Sequence, residues 1–314
     1  MYDFIGDIHG YADELRALLT LMGYQAVDGV FRHPGRQAFF TGDFIDRGPK
    51  IRETLQIVKS MIDNGQALAI MGNHEFNAIC YNIADGRGDF LRRHTEKNNR
   101  QHAETLRQFE SCRTEYHAWI QWFKTLPMAF EADEFRVVHA CWDAGHISAI
   151  REALQSDIYC QNDTLSDRFF AIASDKYEPL YRVIEETLKG KELRLPEGRF
   201  FTDKDGQARR EIRVRWWQNP LGQAWKDLGI HFDPALPEGL VDAELIKSPD
   251  YYRETERPVF FGHYWYKGEP ALLRGNVCCL DYSVAKGGHL VAYRFNGEKQ
   301  LSNNNFVAVA RLSR

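Results

Sequence analysis

Six polar residues stand where short apolar runs break into turns: Asp7, His9, Asp43, Asn73, His139 and His263. All offer oxygen or nitrogen and none a thiolate. Such donors suit divalent ions of intermediate hardness, Mn, Fe or Zn in preference to Ca. Side chains two apart on an extended segment point to the same side. In Gly6-Asp7-Ile8-His9-Gly10, a carboxylate and an imidazole can therefore converge just past the run Tyr2-Asp3-Phe4-Ile5. Ligands of open α/β sheets bind at that end of a strand. One Asp-x-His turn alone is as consistent with an ordinary turn as with a metal site. The recurrence of the pattern along the chain is what gives it weight.

The recurrence is regular. Tyr2–Ile5, Gln37–Thr41 and Ala67–Met71 read as strands, and each runs into a glycine-bearing polar turn. Helices are expected after the first turn, from Tyr11 to Leu19, and after the second, from Ile51 to Asp63, where Leu55, Val58, Met61 and Ile62 recur on one face. Phe135–Val138 leads into His139 and Val259–Phe261 into Gly262-His263. Strand, polar turn and helix in succession predict an α/β (α+β) fold with its chemistry at the strand ends.

Between these segments, Asp85–Asn99 carries Arg92, Arg93, His94 and Lys97, read as a solvated surface with a basic rim beside an anionic substrate as the alternative. From Leu106, Phe109, Cys112, Tyr116, Trp119, Ile120 and Phe123 recur at helical spacing and predict one helix with a packed aromatic face, stopped at Leu126-Pro127. The character changes between Gly145 and Arg257, which reads as an insertion, residues 145–257, within a single domain spanning 1–314. Helices are expected there at Ser148–Gln155 and Leu165–Leu188. A hairpin is expected to pair Arg199–Thr202 with Glu211–Trp217 across the turn Asp203-Lys204-Asp205-Gly206. Strands are again expected at Asn276–Asp281, Gly287–Phe295 and Phe306–Ala310.

The 314 residues are 44% hydrophobic, enough for a large core. The net charge of −4 gives no global positive field, which weighs against a nucleic-acid or membrane partner. No apolar stretch approaches the roughly 20 residues that span a bilayer, and Asp7 falls where a secretory leader needs an apolar run. The six cysteines form no C-x-x-C pair. Reduced core thiols in a cytoplasmic protein are expected, with Cys278 and Cys279 on opposite faces of a strand.

Taken together, Asp7-x-His9-Gly10, Gly42-Asp43-x-x-Asp46-Arg47-Gly48, Gly72-Asn73-His74-Glu75, His139 and Gly262-His263 resemble the signature of the calcineurin-like metallophosphoesterases. Within them the pattern is similar to the phosphoprotein phosphatase branch and to the bacterial symmetrical diadenosine tetraphosphate hydrolases. The resemblance covers residues 1–80, 118–140 and 258–296. It implies a four-layer β-sandwich flanked by helices, and two divalent metals per chain (Mn2+, Fe2+/Fe3+ or Zn2+). Asp7 and His9 would hold the first ion, Asp43 would bridge both, and Asn73, His139 and His263 would complete the second. His74 would be the acid beside the leaving oxygen, oriented by Asp46, and Arg47 would grip phosphate. The implied reaction is hydrolysis of phosphate monoesters by a metal-bridging hydroxide, with dinucleoside polyphosphates as the alternative substrates. A catalytically silent metal-binding scaffold is the competitor from another class. It would be expected to have lost a ligand or the acid, and all are present.

The chain departs from that pattern where Ala140-Cys141 replaces two glycines after His139, and it lacks a clear second phosphate-gripping arginine. Arg213, Arg215 and Lys226 are the candidates, with Arg213 and Arg215 the substrate-binding expectation. Trp217-x-x-Pro220 resembles a family element, and Phe261-Gly262-His263-Tyr264-Trp265 is closer to the dinucleoside polyphosphate hydrolases. Trp216 and Trp217 alternate faces, so one is expected in the core and an exposed indole could stack on a nucleobase. A phosphorylated small molecule, nucleotide or phosphoprotein is the expected partner.

Overall fold

The structure, a computed structural model, describes residues 1–202, 208–230, 236–246 and 250–312. Strands Tyr2–Ile5, Gln37–Phe40 and Ala67–Ala69 lie parallel in one sheet, with Ile5 opposite Phe40 and Phe40 opposite Ala69. All three therefore end on the same edge, and the turns that follow them meet. Each turn feeds a helix: α1 (Ala12–Leu21), α2 (Ile51–Asp63) and α3 (Asn73–Asn82). Ile51, Leu55, Val58 and Met61 of α2 are fully buried, as their spacing dictates. The C-terminal strands His289–Phe295 and Phe306–Ala310 extend the sheet in antiparallel fashion, and Asp281–Tyr282 completes it.

A second, four-stranded sheet carries the other two polar turns. Arg136–Val138 and Val259–Phe261 run parallel, so His139 and His263 emerge side by side. The two sheets face one another across a layer of Phe4, Phe39, Phe135, Val137, Phe260 and Phe295. Phe4 and Phe260 stack with ring centroids 3.8 Å apart. Cys278 turns into this layer and the adjacent Cys279 into the cluster on the far side, both fully buried, as period-2 alternation requires. All six thiols are free.

Three expected elements differ from the expectation. The aromatic stripe spans two helices, α4 (Glu96–Gln108, capped by the Thr95 side chain) and α5 (Arg113–Phe123). The chain turns at 109–112, yet Phe109 and Tyr116 still pack into one core, so the periodicity survives the break. The segment 165–188 is likewise split, into α7 (Asp167–Ser174) and α8 (Pro179–Lys189), which follow α6 (Ala144–Leu154). Pro179 cannot sit inside a helix but opens one at its first turn. The expected hairpin is also different: Glu211–Arg213 pairs with Glu192–Arg194, leaving Phe201–Thr202 only Ala208–Arg209. The turn 203–206 lies outside the described residues. No helix among the described residues is long and apolar enough to cross a membrane.

If the inter-sheet layer carries the fold, Phe260→Ala should cost about 3–5 kcal/mol. Denaturant unfolding followed by near-UV circular dichroism measures this, and a loss under 1 kcal/mol would contradict the packing described.

Candidate metal centre

The strand-end turns are tight enough to force left-handed backbone on residues with side chains. His9 (φ 49°), Asp43 (57°), Asp46 (66°), Arg47 (67°) and His263 (72°) all adopt it. Such conformations cost energy and persist only where surrounding contacts hold them. Glu75 supplies much of that restraint: fully buried at the start of α3, it accepts from the backbone nitrogens of Asp43 (2.9 Å), Phe44 (2.8 Å) and Gly72 (3.0 Å). Two glycines make room for the carboxylates. A Cβ at Gly262 would collide with Asp7 Oδ1, and one at Gly72 with Asp43 Oδ1.

Asp43 lies at the middle. It belongs to two groups of potential ligands, His9–Asp43–His74 and Asp43–His139–His263, in each of which the ligand atoms fall within 4.8 Å of one another. His9 Nδ1 donates to the Ile45 carbonyl (2.9 Å) and leaves Nε2 facing Asp43 Oδ2 at 3.6 Å. His139 Nδ1 donates to the Thr41 carbonyl (2.8 Å) and leaves Nε2 near Asp43 Oδ1 (3.4 Å) and Asn73 Oδ1 (3.1 Å). Anchoring one imidazole nitrogen on a carbonyl is how proteins aim the other at a metal. His263 Nδ1 meets Asn73 Oδ1 at 2.8 Å, while its buried Nε2 has no hydrogen-bond partner. Asp7 accepts from the His263 backbone nitrogen through Oδ2, and its buried Oδ1 has none.

The charges point the same way. Burial, then the Asp281 and Asp43 carboxylates, push Asp7 well above the usual carboxylate range. Burial also pushes Asp43 up, but the imidazoles of His139 and His74 outweigh it and hold Asp43 well below that range. Burial lowers His139, and Asp43 more than reverses this, so the ring's proton and a bound cation are alternative answers to one negative charge. Burial and His74 lower His9 to about 4, a neutral ring suited to ligation, with Arg47 adding to the effect. Converging neutral imidazole and carboxylate donors with orphaned buried atoms fit divalent cations.

Beside this cluster is a second arrangement. His74 Nδ1 meets Asp46 Oδ2 at 2.5 Å, and Asp43 and Asp46 together raise the His74 pKa against the effect of burial. Asp46 Oδ1 accepts from Thr105 Oγ1 (2.5 Å) and meets His102 Nδ1 (2.8 Å). His102 Nε2 continues to the Tyr116 hydroxyl (2.8 Å), which takes a further bond from Asn82. Helices α4 and α5 thus brace the carboxylate that orients His74.

The family model for calcineurin-like phosphoesterases matches residues 2–263. The chain belongs to that family. It is 27% identical over 307 residues to the symmetrical bis(5'-nucleosyl)-tetraphosphatase of Buchnera aphidicola subsp. Baizongia pistaciae, covering 94% of this chain and 95% of that relative. It is 42% identical over 74 residues to the asymmetrical bis(5'-nucleosyl)-tetraphosphatase PrpE of Halalkalibacterium halodurans. That match covers 23% of this chain and spans only 30% of the relative's length. A cold-active protein-tyrosine phosphatase of a psychrophilic Shewanella shares the fold, with a TM-score of 0.50 at 18% identity over 94% of this chain and 75% of the other.

Asp7, His9, Asp43, Asn73, His74, His139 and His263 come together at the joined strand ends, and Asp46 stands directly behind His74. Arg47 is exposed beside His9 and His74. Arg213 is near enough that, after burial, its charge contributes most to lowering His263. Arg215 lies farther along the same segment, by Tyr266. Trp216 and Trp217 are both buried against Phe261, so neither offers the exposed indole that alternation suggested. The "solvated" Arg92 is instead fixed by Asn77 and Gln101 along a small cavity shared with Asp46, His74 and His102. Glu75, Asp281, His102 and Thr105 went unassigned in the sequence. Only Glu75 carried a local signal, its place in Gly72-Asn73-His74-Glu75.

Because Asp43 is common to both ligand groups, Asp43→Asn should lower the metal content per chain by at least one ion without unfolding the protein. Elemental analysis after dialysis against Mn2+ measures this. An unchanged metal content would remove Asp43 from the centre.

Proposed function

We propose that this chain is a metal-dependent hydrolase of phosphate esters and anhydrides. The observation that carries the reading is a carboxylate, Asp43, shared by two histidine groups and flanked by the His74–Asp46 pair. Asp7, His9 and Asp43 would hold one divalent ion, and Asp43, Asn73, His139 and His263 the other. When bound, two such ions activate water and offset the charge of the reacting phosphate. Water's oxygen adds to phosphorus, the bond to the leaving oxygen breaks, and His74 delivers a proton to that oxygen. Asp46 fixes the His74 tautomer through Nδ1 and stabilises its charged form. Arg47 and Arg213 would take phosphate oxygens from two sides, a planar guanidinium matching them bidentately.

Between phosphate monoesters and dinucleoside polyphosphates, the end-to-end match to a symmetrical bis(5'-nucleosyl)-tetraphosphatase supports the latter. A silent scaffold fits less well, because every ligand and the acid are in register. Region 145–257, as an insertion in one domain, would supply recognition, since specificity resides in what surrounds a shared site. Six free thiols suit a reducing cytoplasm.

His74→Asn should keep both metals and slow hydrolysis of an alkyl phosphate by about 10²–10⁴-fold, with a much smaller loss on p-nitrophenyl phosphate, whose leaving group needs little protonation. Equal losses on the two substrates would make His74 positional only.

His102→Ala should lower kcat on the alkyl phosphate by about 10–100-fold at unchanged metal content, the usual scale for an orienting partner. It too should spare p-nitrophenyl phosphate. Unchanged kcat on both would detach His102 from the proton-donating pair.

A further inference from the structure

A cavity of about 430 Å3 lies within region 145–257, on the scale of small-molecule pockets. Its walls are the end of α8, the paired strands Glu192–Arg194 and Glu211–Arg213, and the segment from Arg215 to Pro220. It backs onto the strand and turn that deliver His263. Gly190 of the cavity packs so closely on Tyr264 that a Cβ there would strike its ring and hydroxyl, and Tyr264 directly follows His263. Trp216, another lining residue, packs 5.1 Å from Phe261 on the strand that delivers His263.

The lining has a definite chemistry. Arg213 and Arg215, two apart, both line the cavity, while Ile212 and Val214 beside them pack into an apolar cluster with Leu228. Leu193, Val214 and Leu228 add apolar wall. Two buried acceptor atoms in the lining, Glu186 Oε2 and Gln218 Oε1, have no hydrogen-bond partner. The Glu186 side chain is held through its other oxygen by Arg182, and His146 Nε2 is 3.8 Å from Oε2. Buried acceptors left unpaired cost free energy that a ligand's O–H or N–H donors would recover. Inorganic polyphosphate has no such donors at neutral pH. A ribosyl hydroxyl pair and a base amino group supply both the donors and a flat apolar body. Arg213 and Arg215 are among the lining cations that the phosphate chain would meet.

We propose that this cavity holds the non-reacting nucleoside of a nucleoside polyphosphate whose scissile phosphate sits at the metal centre. This rests on the hydrolase reading above. The test compares wild type, Gln218→Leu and the cavity-filling Leu193→Trp, each as the full chain loaded with Mn2+. The expected result is that the ratio of kcat/KM for diadenosine tetraphosphate to that for p-nitrophenyl phosphate falls about tenfold or more in both, the scale of a lost buried hydrogen bond. Folded variants with an unchanged ratio would overturn the subsite and leave the hydrolase intact. An equal fall for inorganic tripolyphosphate would also overturn it, because the groove would then read charge alone. Equilibrium dialysis of labelled adenosine against the metal-free chain gives an answer independent of turnover and of the variants' folding. Saturable binding by wild type, competed by adenosine 5'-diphosphate, supports the subsite, and no binding at millimolar adenosine overturns it. Absence of hydrolysis of either substrate by the metal-loaded wild type would instead refute the hydrolase, with the dialysis still deciding the cavity.

Discussion

The structure depends on keeping one carboxylate ionised out of water. Asp43 is 2% exposed, and burying an unpaired charge is prohibitive. The solution is to surround it: His9, His74 and His139 lie within 4 Å of its oxygens, the His74 backbone nitrogen donates to Oδ1, and Glu75 fixes its backbone. The arrangement is incomplete in one sense that matters. Asp7 and Asp281 place further buried carboxylates nearby, and the orphaned Asp7 Oδ1 and His263 Nε2 point to positive charge that the protein itself does not supply.

Helices remote in sequence serve the same centre. Asp46 is held well below its usual range because His102 and His74 overcome the effect of burial. His102 is in turn tied through Tyr116 to α5 and through Asn82 to α3. A shift of α4 against α5 would therefore be felt at His74, although neither helix supplies a ligand. The division of one expected helix into two has a function on this view: α4 presents His102 and Thr105 to Asp46, while α5 returns Tyr116 to His102.

Region 145–257 stands in a different relation to the site. It packs on the back of the His263 strand through Trp216, Trp217 and Tyr252 and leaves a chamber on its own side. The indoles here are structural. Trp216 walls the chamber and couples its position to the strand that delivers His263, and Arg213, Arg215, Glu186 and Gln218 are among the polar lining residues.

Much of the site was legible from sequence because its determinants are local. Strand-end turns need glycine, metal-competent side chains follow at fixed offsets, and parallel strands gather those turns onto one edge whatever the loops between them do. The same locality made α2 and the strands predictable, since hydrophobic period follows backbone geometry directly. Residues acting across long sequence separations were not legible: His102 is 56 positions from Asp46, and nothing near it announces the partner. Nor could period-2 alternation decide the fate of Trp216 and Trp217. The segment is not extended there: the chain turns, with the Gln218 nitrogen donating to the Arg215 carbonyl, and both indoles pack on Phe261. Sequence alone determined which side chains could ligate, and tertiary structure decided which buried groups brace them and where the chamber beside them lies, because burial and long-range pairing are properties of the assembled chain.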